Sequence, residues 1–217
     1  MNNQTKNINI NNNINNNSKD ENQIKVIIDS KEYYGNENET ILNVAQRNSI
    51  HISTLCFHEK IKPHGACRLC LVEIIKAGKS KLVASCAYPV EQGLIVETDS
   101  PKVNDVKKRL TELYLAMYPY HPEIKRLAKK YSLNNTRYKR VYNYCILCGL
   151  CVRYCAEVKG YNAIGFVGRG INKKVSFIPD SSYFKYCLNC MECVDICPTG
   201  VFPSNYGIER IPQISDS

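Results

Sequence analysis

The chain of 217 residues lacks any hydrophobic run near the ~18 residues that cross a membrane, so no direct membrane insertion is expected. Its N-terminus has neither the apolar core of a secretory signal nor the Arg-rich amphipathic pattern of a transit peptide, which favours a cytoplasmic protein. The glycine fingerprint of a dinucleotide-binding fold is also missing, and no flavin site is recognisable. We therefore expect no catalytic residues on this chain.

Residues 1–22 contain little that could form a core. Half of them are Asn, with scattered Ile and few aromatics. Such a segment cannot bury enough apolar surface to offset the entropy lost on folding. We expect a disordered extension without a function of its own, and we treat residues 206–217 as a C-terminal tail.

Cysteine, in contrast, is abundant, with twelve residues. Two runs, at 145–155 and 187–197, read C-x2-C-x2-C-x3-C. Three thiolates on a tight turn suit three corners of an iron–sulfur cube, while the fourth Cys, on the following helix, points toward the other cube. The predicted ligands are Cys145, Cys148, Cys151 and Cys197 for one [4Fe–4S] cluster, and Cys155, Cys187, Cys190 and Cys193 for the second.

Zinc and disulfides are the alternatives for these two runs. Zinc ribbons use C-x2-C pairs and close at four ligands, so a third Cys at the same spacing, twice, disfavours zinc. A disulfide scaffold would require export, for which the sequence shows no signal. Iron–sulfur clusters are the interpretation that accounts for the triplets.

Four further Cys follow the order C-x10-C-x2-C-x15-C, at Cys56, Cys67, Cys70 and Cys86. Four thiolates from loops suit a [2Fe–2S] cluster, with two per iron. The small residues Gly65 and Ala66 let backbone N–H groups approach inorganic sulfide. On spacing alone, a structural zinc site at the central C-x2-C pair remains an alternative. We interpret the flanking His58 and His64 as surface or neighbouring residues, because four Cys suffice.

The pattern of strands and helices predicts an α+β chain. Short β-rich runs lie at Ile24–Asp29, Tyr33–Tyr34, Val72–Ile75, Leu82–Ser85 and Leu94–Thr98. Thr40 can cap a short helix between the second and third of these runs. This order predicts that residues 23–100 form a β-grasp [2Fe–2S] domain, with one helix lying over the sheet.

Residues 101–141 are predicted to form a helical connector. Ser100 and Pro101 are a helix start. The apolar stripe expected on the first helix is Val103, Val106, Leu110, Leu113 and Met117. A second helix should bury Ile124, Leu127, Ala128 and Tyr131. Residues 142–205 are then expected to be a bacterial-type two-cluster ferredoxin domain, with a hairpin at 165–177.

The net charge of +9 raises the question of nucleic acid. Three oxidised clusters with their thiolates would lower it to about +3. The excess is also local, since residues 101–141 hold eleven Lys or Arg. Such a helical surface is usually solvated and sometimes docks an acidic partner. We therefore expect no nucleic-acid partner.

Together these motifs resemble the N-terminal module of the large iron–sulfur subunit of NADH dehydrogenase, the complex I G-type subunit. The same module begins many [FeFe]-hydrogenases and stands alone as the small diaphorase subunit of NAD-linked hydrogenases and formate dehydrogenases. The resemblance covers residues 24–205 and is carried by residues 54–56, 65–73, 82–86, 99–103, 145–149, 163–170 and 197–200. It favours the [2Fe–2S] interpretation of the first site over zinc.

The chain departs from this family in one respect that matters for its cofactors. Many members carry a His and three Cys that ligate an additional [4Fe–4S] cluster. His121 stands in the corresponding region, but no Cys lies between Cys86 and Cys145. We expect that cluster to be absent and assign no metal role to His121. The expected cofactors are one [2Fe–2S] and two [4Fe–4S] clusters.

The resemblance implies a non-catalytic electron-transfer subunit. Its partners would be a flavin subunit that binds NAD(P)H and a hydrogenase or formate dehydrogenase catalytic subunit, in some cases within an electron-bifurcating complex. Two alternatives are a free-standing multi-cluster ferredoxin carrier and a zinc-bearing nucleic-acid adaptor. Stoichiometric partners would distinguish the first alternative, and the brown colour of iron–sulfur protein the second.

Overall fold

The structure, a computed structural model, describes residues 23–140, 145–178 and 190–200. The extension at residues 1–22, the predicted ligand Cys187 and the tail at 206–217 lie outside the described residues.

The first part of the chain forms a mixed five-stranded sheet. Its strands are β1 (Ile24–Ile28), β2 (Lys31–Gly35), β3 (Leu71–Lys76), β4 (Lys79–Ala84) and β5 (Leu94–Glu97). Their order across the sheet is β2-β1-β5-β3-β4, in which β1 and β5 run parallel and the other pairs antiparallel. Both hairpins turn through two residues with positive φ, Asp29-Ser30 and Ala77-Gly78, the geometry that suits the twist of paired strands. The predicted strands are confirmed.

One short helix, α1 (Ile41–Arg47), lies over this sheet. It begins at Thr40, whose Oγ1 accepts a hydrogen bond from the Asn43 N–H at 3.2 Å. The residues that α1 and the sheet contribute to one fully buried core include Val26, Ile28, Ile41, Leu42, Val44, Ala45, Val72 and Val96. Burial of these side chains supplies the main driving force for this part of the fold.

Two helices follow, α2 (Pro101–Met117) and α3 (Pro122–Lys130). The Ser100 hydroxyl caps α2 by accepting from the Val103 N–H at 3.3 Å, and Pro101 takes the first position, as predicted. His121 caps α3 through Nδ1, which accepts from the Glu123 N–H at 3.1 Å. Of the residues expected to be inward, Ile124, Leu127 and Ala128 are buried, whereas Tyr131 follows the last residue of α3 and is only half-buried.

The predicted apolar stripe of α2 is only partly right. Leu113 is 42% exposed, while Lys107, Thr111 and Tyr114 are buried beside Val103. In the observed orientation both buried hydroxyls are satisfied: Tyr114 donates to the Cys67 carbonyl, and Thr111 donates to the Lys107 carbonyl of its own helix. Three polar residues therefore occupy positions that an apolar pattern does not predict.

The second part of the chain is smaller. It comprises α4 (Leu150–Glu157), the antiparallel strands β6 (Ile164–Val167) and β7 (Lys174–Phe177), and a short helix α5 (Glu192–Asp195). A 3₁₀ turn at Gly170–Asn172 joins the two strands, which confirms the predicted hairpin. Across the described ranges, no helix combines the length and hydrophobicity needed to span a membrane.

Candidate iron–sulfur cluster sites

The four Cys of the first predicted site are all buried, on the long loop between α1 and β3 and on the loop after β4. They form two close pairs. The Cys67 N–H donates to Cys56 Sγ at 3.3 Å, and the Sγ atoms of Cys70 and Cys86 lie 3.4 Å apart. Within the described ranges, no three His, Cys, Asp or Glu side chains group tightly enough to hold a single metal ion. A [2Fe–2S] cluster needs two thiolates on each iron, and two pairs fit that requirement.

The surroundings of these thiols also fit a cluster. The Leu55 N–H donates to Cys67 Sγ at 3.4 Å, the kind of contact that stabilises a ligating sulfur. The Ser85 hydroxyl is fully buried, and its interaction with the Cys70 sulfur contributes to lowering the pKa of that thiol. Gly65 has a φ of 66°, and a Cβ there would stand 3.3 Å from the Ala84 Cβ. Gly65 therefore allows the backbone of the cysteine loop to lie close to Ala84, and Ser85 places a hydroxyl beside the Cys70 sulfur.

Each pair favours one thiolate. A hydrogen bond with the Cys56 thiol lowers the pKa of Cys67 to about 6, and a hydrogen bond with Cys86 lowers the pKa of Cys70 to about 7. The same hydrogen bonds, together with burial, raise the pKa values of Cys56 and Cys86. Because metal ligands must be deprotonated, two of the four thiols are already close to the required state.

The second site is a small cavity at the start of α4. It is lined by the four Cys predicted for the first cube, Cys145, Cys148, Cys151 and Cys197, together with Ile146, Gly149, Leu150, Val175 and Thr199. Leu147 and Gly149 have positive φ, so the backbone turns tightly and brings the first three thiols together. Burial raises the pKa of Cys148 to about 12. The structure thus places Cys197 of the second run beside the triplet of the first.

The remaining predicted ligands lie next to this cavity. Cys155 is buried, and its Sγ accepts from the Ala163 N–H at 3.4 Å. It shares a cluster of apolar side chains with Cys151, Cys193 and Cys197. Cys190 Sγ lies 4.0 Å from Glu192 Oε1, at the start of α5. Three of the four ligands predicted for the second cube are therefore described, and Cys155 and Cys193 lie in the same cluster.

The first site adjoins the cavity of the first cube. Cys148 belongs to the same buried cluster as Cys56 and Cys67, and the Cys67 charge contributes to the raised pKa of Cys148. Tyr114 lies in this cluster, and its hydroxyl donates to the Cys67 carbonyl at 3.0 Å. No sequence signal pointed to Tyr114, since its role depends on how α2 docks on the cysteine loop.

A second contact holds the two parts of the chain together. The Glu157 carboxylate accepts from the Lys62 N–H at 2.8 Å, and Arg153 donates to the Lys62 carbonyl. The His58 ring meets Tyr154 edge-on, with centroids 5.3 Å apart. Helix α4 thus holds the loop that precedes Cys67, through a contact that we call the clamp. His58 takes part in this contact and lies beside the first site, as predicted.

Comparison with known families finds two matches. Residues 21–101 match the 2Fe-2S iron-sulfur cluster binding domain, and residues 137–203 match the ferredoxin-like domain of NADH-quinone oxidoreductase subunit 3.

Individual proteins are similar over most of the chain. The second G-type subunit of the NADH-quinone oxidoreductase of Rhizobium meliloti is 30% identical over 213 residues, covering 84% of this chain and 24% of its own length. The alpha subunit of NADPH-Fe(3+) oxidoreductase of Geobacter sulfurreducens is 31% identical over 206 residues, covering 83% and 24%. A chain in a crystal structure of an H2-reduced NAD+-reducing [NiFe]-hydrogenase aligns with a TM-score of 0.67 at 25% identity, covering 82% of this chain and 85% of that one. This chain spans about a quarter of the length of these two curated relatives.

Proposed function

Because residues 21–101 and 137–203 belong to the two iron–sulfur domain families matched above, we propose that this chain is a non-catalytic electron-transfer subunit. It relays single electrons between a flavin subunit that oxidises or reduces NAD(P)(H) and a separate catalytic subunit of the hydrogenase type. The relatives named for NADH, NADPH and hydrogenase chemistry support this assignment. A formate dehydrogenase partner and electron bifurcation remain predictions from the sequence.

The proposed cofactors are one [2Fe–2S] and two [4Fe–4S] clusters, ligated as the cysteine spacing predicts. Such clusters supply one-electron storage, with potentials set by hydrogen bonds, burial and charge. The chain holds the first in the pairs Cys56–Cys67 and Cys70–Cys86, and the cavity at α4 offers four thiols for the first cube. Cys155, Cys190 and Cys193, with Cys187 outside the described residues, would hold the second cube.

The observation that carries this proposal is the contact between the sites. Cys67 and Cys148 share one buried cluster, and Cys151 and Cys193 share the next. The three sites therefore follow one another in the order [2Fe–2S], first cube, second cube. Sites arranged in series suit the transfer of electrons from one cluster to the next. The [2Fe–2S] site and the second cube, at the two ends of the series, would face different partners.

Reconstitution tests this function. The anaerobically purified chain should accept electrons from dithionite in one-electron steps, yet neither oxidise NADH nor evolve hydrogen nor oxidise formate. Mixed with the flavin subunit and the hydrogenase or formate dehydrogenase subunit encoded beside it, it should restore electron flow from NADH to the catalytic subunit.

Two results would contradict the proposal. NADH oxidation by the isolated, flavin-free chain would show that it is itself catalytic. Full coupling between the other two subunits in its absence would show that no relay is needed. If the chain binds neither subunit but exchanges electrons with both by diffusion, it is the free-standing carrier instead.

A further inference from the structure

Helix α2 carries a buried cation beside the first cysteine site. Lys107 is only 5% exposed, whereas the next two residues of α2, Lys108 and Arg109, are exposed. Its ammonium donates to the Thr98 carbonyl at 3.4 Å, and no ion pair to it is found among the described residues. An ammonium buried without a nearby anion is costly, so a side chain of this kind requires an explanation.

The charges around Lys107 do not neutralise it. Burial and the nearby Lys130 lower the pKa of Lys107 to about 8, with a smaller effect of the same sign from Arg126. Asp99 and the Cys70 thiol act in the opposite direction, but the Asp99 carboxylate already pairs with Lys130. Among the groups with the largest effect on the pKa of Lys107, the Cys70 sulfur of the first site is the anionic group that remains.

Lys107 lies on the side of α2 that faces the cysteine loops. Tyr114, seven residues further on, is two helical turns away and therefore on the same face, and it contacts the Cys67 carbonyl. Thr111, between them, is fully buried. The face that docks α2 on the [2Fe–2S] loop thus also brings Lys107 within electrostatic reach of Cys70.

We infer that Lys107 is the built-in countercharge of the [2Fe–2S] site and raises its reduction potential. This inference depends on the proposed function, which places a [2Fe–2S] cluster at Cys56, Cys67, Cys70 and Cys86. When one electron arrives from the partner, the net charge of the cluster with its four thiolates becomes more negative by one. A fixed ammonium nearby stabilises the reduced form more than the oxidised form, because the attraction grows with that charge.

The test compares reduction potentials in variants of the full, anaerobically purified chain. Lys107→Met removes the charge, and Lys107→Gln removes it while keeping a donor for the Thr98 carbonyl. Lys107→Arg keeps the charge. Lys108→Met is the matched control, since it removes the same formal charge from an exposed neighbour on α2.

Redox titration followed by EPR gives the midpoint potential of each cluster separately. In both neutral variants the [2Fe–2S] centre should bind its electron roughly tenfold more weakly, which is a potential lower by about 59 mV for a one-electron couple. Lys107→Arg and Lys108→Met should leave that potential near the wild-type value. The cube potentials should be the same in all four variants.

Three results would overturn the inference while leaving the proposed function intact: a wild-type [2Fe–2S] potential in the neutral variants, an equal shift in Lys108→Met, or an equal shift of all three clusters. Loss of the [2Fe–2S] signal from both neutral variants, with retention in Lys107→Arg, would make Lys107 a structural residue and would also overturn it. Absence of any [2Fe–2S] signal in the wild-type chain would overturn the proposed function itself.

Discussion

Tyr114 ties the helical connector to the first cluster loop through a single hydrogen bond. Its hydroxyl and the Cys67 carbonyl are 3.0 Å apart in a buried position, and the two residues are 47 apart in sequence. Burial, followed by the charges of the nearby Cys thiols, raises the pKa of Tyr114, so this hydroxyl remains a donor. A loop that must hold thiols in fixed positions gains rigidity from such a contact.

Replacement of Tyr114 by Phe should weaken the first site. The change leaves the Cys67 carbonyl buried without its donor, which costs about 1 to 3 kcal/mol. The rate at which the [2Fe–2S] absorbance is lost at a fixed urea concentration should therefore rise by roughly tenfold. Tyr120→Phe makes the same change at a position that is 53% exposed and should have no effect. Equal rates in wild-type and Tyr114→Phe protein would show that the hydrogen bond does not support the site.

His121 makes the start of α3 sensitive to pH. Burial lowers its pKa below the ordinary value of 6.5, and its neutral Nδ1 accepts the hydrogen bond that caps the helix. As pH falls below 6.5, the unfolded chain takes up this proton more readily than the folded chain does. Stability from this residue is therefore present above the unfolded pKa and decreases as pH falls.

His121→Asn should flatten this dependence, because Asn caps a helix without titrating. Between pH 7.5 and 5.5, the thermal unfolding midpoint of the loaded wild-type chain should fall more than that of the variant. His64→Asn, at an exposed position, provides the control and should follow the wild-type curve. Parallel curves for wild type and His121→Asn would show that His121 does not titrate within this window.

At the scale of elements, the sequence predicted features that depend on residues close together in the chain, such as the cube triplet. It did not predict how α2 is oriented against the rest of the protein. The cube triplet spans seven residues, so its geometry follows from local turns at Leu147 and Gly149. The rotation of α2 depends instead on contacts with loops far away in the sequence. An apolar stripe ending at Leu113 and Met117 could not anticipate that Lys107, Thr111 and Tyr114 would face inward.

The crossed arrangement of the two cysteine runs is the element-scale feature most open to test. Cys197 follows α5 yet lines the cavity that contains the first triplet. Cys197→Ser should therefore damage the cube held by Cys145, Cys148 and Cys151, while the other cube is spared. EPR of the reduced protein distinguishes the two signals.

A matched variant sharpens this test. Cys193→Ser makes the same change four residues earlier and should damage the other cube instead. If Cys197→Ser and Cys193→Ser abolish the same signal, the crossed assignment is wrong, and each run serves its own cube.

At the scale of the whole molecule, the basic surplus of the connector is partly neutralised by ion pairs. Lys102 pairs with Glu73, Arg126 with Glu123, Arg137 with Glu112, Lys130 with Asp99 and Arg109 with Asp105, and Lys107 is buried. The Lys130–Asp99 and Arg109–Asp105 pairs, in which both side chains are exposed, contribute little stability. All five pairs leave fewer cations for an acidic partner. The exposed lysines of α2 and α3 that remain for docking an acidic partner include Lys108, Lys125 and Lys129.

The contacts of Arg153 and Glu157 with Lys62, and the buried cluster shared by Cys67 and Cys148, join the two parts of the chain as the proposed relay requires. The number and spacing of the cysteines predicted the candidate ligands, because those spacings are short and can be read directly from the sequence. The clamp and the buried position of Lys107 could not be predicted, since both arise where distant segments meet.

Metal and sulfide analysis of the anaerobically purified chain tests the central claim most directly. One [2Fe–2S] and two [4Fe–4S] clusters require about ten iron and about ten acid-labile sulfide per chain. A value near fourteen would instead indicate a further cube near His121. A chain that contains zinc but no labile sulfide would contradict the electron-transfer account as a whole.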